Sequence, residues 1–256
     1  MTAAIHTMDA RVRRFLEREL GFSLETFPKE GVEVRESPAR NDKRGNRLRV
    51  IRIGEAGLAT GISRIADAIA PVVGSMSIWE LFSALGIAEL RRALSPEDGK
   101  GLEIGFDYTL TRPSDFIPAE TAHKAVALRK ADIPPCQFDL RVKERRKPVA
   151  EDFVWAFACY HEDRDAKPVT LPEFGPRCAA VAVIIWRDVP DIAFYGVGTE
   201  ENYRGQGYGL AVVSAATEWT LKQGAVAYYG ASASNIPSLR IARRLGFSLT
   251  WETICD

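Results

Sequence analysis

What this chain has little of narrows its chemistry before any motif is read. Only three histidines and four cysteines occur among its 256 residues. The cysteines (Cys136, Cys159, Cys178, Cys255) form no C-x-x-C pair and no metal-ligand spacing, so no metal site is expected. Disulfide frameworks belong to short chains with little core, whereas 46% of these residues are apolar, so a reducing, cytoplasmic setting is expected. Cys178, set in an apolar run, reads as a small core hydrophobe. Charge of one sign is missing as well. Thirty-four basic residues balance thirty-four acidic ones, leaving no global field to recruit nucleic acid or anionic lipid. The local exception, Arg141-Val-Lys-Glu-Arg-Arg-Lys147, reads as a solvated face or linker, with a docking patch for an acidic partner as the alternative. No apolar run approaches the ~20 residues of a membrane span. The longest, Ala179 to Trp186, is strand-sized, and Met1 to Ala10 lacks the pattern of a secretory leader.

Periodicity orders what is present. Val12, Phe15, Leu16 and Leu20 recur at helical spacing before Gly21. Polar sequence with Pro and Gly reads as loop up to Asn46, and Leu48–Ile53 reads as a strand. Helices are expected over Ser63–Val73, where Pro71 invites an early end, and over Ser77–Leu94. Leu102, Ile104, Phe106 and Tyr108 alternate like one face of a half-buried strand. Two prolines in Thr111–Pro118 mark a boundary between an N-terminal α/β region, residues 1–118, and a second domain, residues 119–256. Val126–Arg129 reads as a strand, Phe153–Tyr160 as a strand or short helix, and His161–Pro176 as a long loop. The chain then becomes regular: strands Cys178–Trp186 and Ile192–Thr199, helix Leu210–Lys222, strand Ala225–Ala231, a short helix opened by Ser234 or Asn235, and a last strand through Phe247, Leu249 and Trp251. This is a mixed α/β pattern.

One junction carries chemistry. In Val197-Gly-Thr-Glu-Glu-Asn-Tyr-Arg-Gly-Gln-Gly-Tyr-Gly209, three alternating glycines stand where a strand hands over to a helix. Glycine lets backbone approach a bulky anion. The first helical turn offers N–H groups without internal partners, at the positive end of the helix dipole. That combination is a phosphate site, and Arg204 at its mouth adds charge-assisted hydrogen bonds. The spacing matches neither G-x-G-x-x-G nor a P-loop, and no lysine follows the glycines, which disfavours nucleotide hydrolysis.

Arg204-Gly-Gln-Gly-Tyr-Gly209 resembles the R/Q-x-x-G-x-G/A motif of the GNAT superfamily of acyltransferases. Asn235-Ile-Pro-Ser238 followed by Leu245-Gly246-Phe247 is similar to that family's N-x-x-(A/S)…G-F segment. The resemblance runs from about Val126 to Asp256 and is sharp from Ile192 onward. It implies a mixed, mostly antiparallel twisted sheet flanked by helices, with an N-terminal α/β region compatible with a degenerate GNAT-like half. It also implies acetyl-CoA as acyl-donor cosubstrate. Backbone amides of Gly205, Gln206, Gly207, Tyr208 and Gly209 would hold its diphosphate, beside Arg204. The strand edge at Val197, Gly198 and Thr199 would pair with the pantetheine, which Asn235 and Ser238 would touch. A backbone N–H near Val197 would polarise the thioester carbonyl. The acyl group would pass directly to an amine of a small molecule or peptide, with no nucleic acid or membrane partner, and a homodimer fits the family.

The family's usual acid, a tyrosine four residues before the glycine of the final Gly-Phe, is replaced by Ala242. The arrangement with Ser238 and Ala242 resembles a subgroup typified by the zwittermicin-resistance acetyltransferase. Direct transfer needs an unprotonated amine and a route for the proton. Glu200, Glu201 and Tyr195 are the catalytic candidates, with Asp191, His161, Tyr228 and Tyr229 behind them. Against each stands a plain structural role: solvated carboxylate, turn residue, loop histidine or core aromatic. Trp155, Trp186, Trp219 and Trp251 read as core, while Trp79 could cover an acceptor site. The rival to catalysis is a module that binds or senses acyl-CoA, and a long-chain donor is a third reading.

Overall fold

The computed structural model describes residues 3–37, 48–129, 132, 154–162, 174, 175, 177–186 and 191–255. Cys136, the basic run 141–147, most of the 161–176 loop and the turn at 187–190 lie outside the described residues. Two compact units emerge, and neither is contiguous in sequence. The first comprises Met1–Tyr108, Gly230–Ile236 and Leu249–Asp256; the second comprises Thr109–Tyr229 and Pro237–Ser248.

In the first unit, helix α1 (Ala3–His6) precedes α2 (Ala10–Leu20). The Asp9 carboxylate caps α2 by accepting the Arg11 N–H at 2.8 Å, and Val12, Phe15, Leu16 and Leu20 form the buried stripe. Strands β1 (Gly31–Glu36), β2 (Leu48–Ile53), β3 (Ala56–Gly61) and β4 (Glu103–Leu110) follow, with β10 (Ser248–Cys255) arriving from the far end of the chain. Their order is β1-β3-β2-β10-β4. β2 pairs antiparallel with β3 and with β10, where Glu252 faces Arg52, whereas β1 runs parallel to β3. Leu48, Val50, Ala59 and Ile254 pack against Ile65, Ile69 and Val73 of α3 (Ser63–Ser75), together with Leu81, Leu90 and Leu102.

Several expectations change here. The loop expected before Asn46 contains β1, and β3 had no signature at all. β3 is built from Ala, Gly, Leu and Thr and is buried throughout, so its strand character comes from pairing on both sides rather than from composition. At Gly57 a Cβ would sit 2.6 Å from the tip of the Ile78 side chain and 3.2 Å from the Ile51 carbonyl oxygen, so a larger residue would displace Ile78. The single helix expected over 77–94 is two, α4 (Ile78–Leu81) and α5 (Ala84–Ala93). Ser77 and Glu80 form a capping box on the first, and Ser83 caps the second through the Gly86 N–H. Pro71 lies inside α3 without ending it. β4 does not alternate: Asp107, Tyr108, Thr109 and Leu110 are all buried, and Asp107 accepts the Thr253 hydroxyl of β10 at 2.8 Å.

The division at 118 treats residues 119–256 as one domain, yet β10 lies in the first unit. The cause is its antiparallel register with β2, which places Thr253 and Ile254 opposite Ile51 and Val50.

The second unit orders its strands β9-β8-β7-β6-β5: β5 (Val126–Arg129), β6 (Val154–Tyr160), β7 (Cys178–Trp186), β8 (Ile192–Thr199) and β9 (Val226–Ser232). All neighbours run antiparallel except β8 and β9. Phe153–Tyr160, open between strand and helix, is strand from Val154. Helix α6 (Tyr208–Lys222) covers β6, β7 and β8. Helix α7 (Ile236–Arg244) ends at Gly246. The architecture is the mixed, mostly antiparallel α/β class expected. Among the described residues, no helix is long and apolar enough to cross a membrane.

Gly246 adopts φ +87°, and a Cβ there would sit inside the contact radius of the Asp115 carbonyl oxygen. Left-handed backbone alone costs an L-residue about 1–2 kcal/mol, and the clash adds to it. Gly246→Ala should therefore lower stability by more than about 2 kcal/mol, read as a lower urea midpoint at unchanged m-value.

Candidate functional site

β8 holds two partners over only part of its length. Ile192, Ala193 and Phe194 pair with Val226, Ala227 and Tyr228 of β9, and there the register stops. From Tyr195 to Thr199, β8 pairs only with β7 among the described residues. Val197, Gly198 and Thr199 therefore lie on a strand edge that β9 has left, and such an edge carries main-chain donors and acceptors able to bind an extended ligand.

The chain then turns through Glu200 and a 3-10 turn, Glu201–Tyr203, into Arg204–Gly207 and the start of α6. Gly205 and Gly207 both have positive φ, +75° and +94°, the left-handed backbone from which anion-binding nests of peptide N–H groups are built. Gly209 serves differently. It is helical, and a Cβ would lie 3.1 Å from the Thr199 hydroxyl and 3.5 Å from Ile241 of α7, so its small size lets α6 start hard against β8. The first backbone bond of α6 runs from the Ala211 N–H to the Gly207 carbonyl at 3.0 Å. The N–H groups of residues 205–210 find no acceptor among the described residues. Six donors stand ready at the positive end of a 15-residue helix. Arg204 is exposed, and its Nε donates to the Thr199 carbonyl at 3.4 Å, which keeps the guanidinium at the mouth. The Gln206 side chain donates to the Asn202 carbonyl at 2.8 Å.

Two residues that the sequence did not single out also reach this loop. His123 lies before β5, 83 positions from Gln206, and its Nε2 donates to the Gln206 carbonyl at 2.8 Å. Its ring stacks on Tyr208 with centroids 3.6 Å apart, and Thr121 Oγ1 accepts the His123 N–H at 3.2 Å. No local pattern announced these contacts, because they arise where segment 121–123 crosses the junction. His161, expected in an exposed loop, is buried. It stacks on Tyr203 at 4.3 Å, and Tyr203 meets Tyr208 edge-on at 5.6 Å.

The remaining candidates separate. Glu200 is buried, with its N–H on the Ala179 carbonyl, while Glu201 is exposed. The Tyr195 hydroxyl donates towards α6, with Thr220 Oγ1 at 2.9 Å and the Ala216 carbonyl at 3.4 Å. Burial pushes that phenol far above its ordinary value. Tyr195 is thus engaged in joining β8 to α6, not displayed to a ligand. Burial likewise raises the Tyr229 phenol, and its hydrogen bond with Ser238 lowers it in part. Tyr228 packs on Phe194 at 4.0 Å. The Asp191 carbonyl accepts from Val226 N–H at 2.8 Å, where β8 and β9 begin. Ala242 is fully buried. Asn235, whose N–H donates to the Ser232 carbonyl at 2.9 Å, groups with the first unit, and Ser238 with the second. In the first unit, the exposed Trp79 lies under the Arg52 guanidinium at 3.9 Å and donates to Glu55 at 3.1 Å.

Tyr195→Phe removes a hydroxyl bonded to α6 but leaves the ring in place. It should cost about 1 kcal/mol of stability, the net worth of one hydrogen bond, visible in chemical denaturation.

Residues 136–247 match the sequence profile of the Acetyltransferase (GNAT) family. No curated protein is similar enough in sequence to count as a relative. Among solved structures, the chain is similar in part to a putative GNAT-family acetyltransferase of Novosphingobium aromaticivorans, with 20% identity and a TM-score of 0.42 over 61% of this chain and 64% of that one. It is similar to a GNAT-family acetyltransferase of Colwellia psychrerythraea, with 13% identity and a TM-score of 0.41 over 60% of this chain and 56% of the other. A GCN5-related N-acetyltransferase of Sphaerobacter thermophilus gives 13% identity and a TM-score of 0.43, covering 60% and 50%. The chain thus spans less than two thirds of each of these structures.

Proposed function

We propose that this protein transfers an acetyl or other short acyl group from acyl-CoA directly to a primary amine of a small molecule or peptide. The observation that carries the reading is the run of backbone N–H groups at 205–210, without acceptors among the described residues, at the front of α6. A diphosphate is the anion whose size and charge such a run serves. In this reading, the amides of Gly205, Gln206, Gly207, Tyr208 and Gly209 hold the CoA diphosphate and Arg204 adds a charged donor. The β8 edge at Val197, Gly198 and Thr199, left by β9, pairs with the pantetheine amides. Ser238, near the start of α7, is assigned to the pantetheine arm.

In this reading the reaction is a direct displacement. The amine lone pair attacks the thioester carbonyl carbon, the C–S bond breaks, and charge gathers on the carbonyl oxygen. A backbone N–H near Val197 stabilises that charge. The amine nitrogen gives up a proton, and the departing thiolate gains one.

One observation favours a second reading. Ala242, at the position where the family commonly has a phenol, is buried and carries no proton to give. A non-catalytic acyl-CoA-binding or sensing module is built the same way up to that point.

Thiol release from acetyl-CoA across a panel of primary amines decides between them. Turnover on any amine supports the transferase, and tight binding with no turnover on any supports the sensor. Gly207→Val addresses the cradle itself. A β-branched residue at φ +94° strains the loop by about 1–2 kcal/mol or rotates its peptides away, so CoA affinity in calorimetry should fall at least about tenfold. Unchanged affinity would remove the cradle from the donor site.

A further inference from the structure

We infer that His123 is a positioning residue of the donor site: its imidazole holds the Gln206–Gly207 peptide in the orientation that presents the Gly207 N–H to an anion. This rests on reading the glycine loop as the diphosphate cradle. A backbone carbonyl can only accept, so the 2.8 Å contact makes His123 Nε2 the donor and Gln206 O the acceptor. The peptide is trans and planar, so fixing the carbonyl on one side fixes the following N–H on the other. The Gly207 N–H therefore points away from His123.

That restraint has work to do. Gly205 and Gly207 flank the peptides concerned with left-handed backbone, and glycine exchanges between left- and right-handed wells at little cost. A free loop would lose ordering entropy on binding; a loop already held loses less. His123 is itself held. Its ring lies flat on Tyr208, at 19° between planes, and its N–H is taken by Thr121. The same ring is in contact range of Gly207, where a Cβ would stand 3.6 Å from His123 Cδ2. The restraint comes from outside the motif, and so can be removed without touching any residue of the cradle.

Two variants test this. His123→Phe keeps a flat ring for Tyr208 and deletes the donor; His123→Gln restores a donor amide near the Nε2 position. CoA binding by calorimetry should weaken about five- to tenfold in His123→Phe, the worth of one net hydrogen bond, and return to within about threefold of the unaltered protein in His123→Gln. With an active amine, His123→Phe should raise KM for acetyl-CoA and leave kcat at saturating donor unchanged. Wild-type affinity in His123→Phe overturns the inference, as does equal weakening in both variants, which would make the ring and not the bond responsible. Gly207→Val run alongside separates the failures. If Gly207→Val loses CoA and His123→Phe does not, only the role of His123 falls; if unaltered protein binds no CoA, the cradle falls with it.

Discussion

A helix cannot satisfy its own first-turn donors, and nearly everything specific about this protein's site follows from where that shortage is placed. At most helix starts a Ser, Thr, Asp or Asn side chain relieves it, as Asp9, Ser77 and Ser83 do in the first unit. At α6 nothing does. The cap position is Gly207, which has no side chain to offer, and the glycine before it in the motif shares its left-handed backbone. A helix whose opening turn is left unpaired by its own sequence gives up about 1 kcal/mol of capping stability for the capacity to bind an anion.

The rest of the second unit holds that junction still. Gly209 brings α6 against Thr199 of β8 and Ile241 of α7, so three elements converge on one peptide plane's neighbourhood. Tyr195 bonds the same helix to the middle of β8. The stacked rings of His161 and Tyr203, and of His123 and Tyr208, form a wall beside the loop, buried at one end and part-exposed at the other. Parallel pairing of β8 with β9 lasts for three residue pairs and then gives way, leaving a strand edge that begins where the core ends. Core strand pairing and the proposed binding edge share the same short stretch, 192–209, at opposite ends.

The first unit shows how local signals mislead when both faces of an element are covered. β4 looks amphipathic in sequence, yet its second half is enclosed, with Asp107 satisfied by Thr253. β3 offered no pattern because alanine and glycine suit a strand between two partners, with Ile78 occupying the space that a side chain at Gly57 would take. Arg52 illustrates the same point for charge. It lies between Glu252, at 2.5 Å, and the face of Trp79, so an arginine that alternates outward in β2 is tied to a partner 200 positions away.

Elements that carry their own period and punctuation were legible from the chain alone. α2 from its stripe and Asp9, α6 and α7 from their apolar faces and following glycines, and β7 and β8 from dense apolar runs all lie within a few residues of their expected bounds. The glycine motif could be read as an anion cradle because left-handed backbone and bare helix donors are local properties. The pairing of β10 with β2, the burial of His161, the commitment of Tyr195 to α6 and the approach of His123 to Gln206 were decided only by tertiary structure. Each joins residues whose separation along the chain leaves no mark in composition or spacing. A hydrogen bond or a ring stack depends on geometry at a few ångströms, which the chain acquires only once its sheets are assembled.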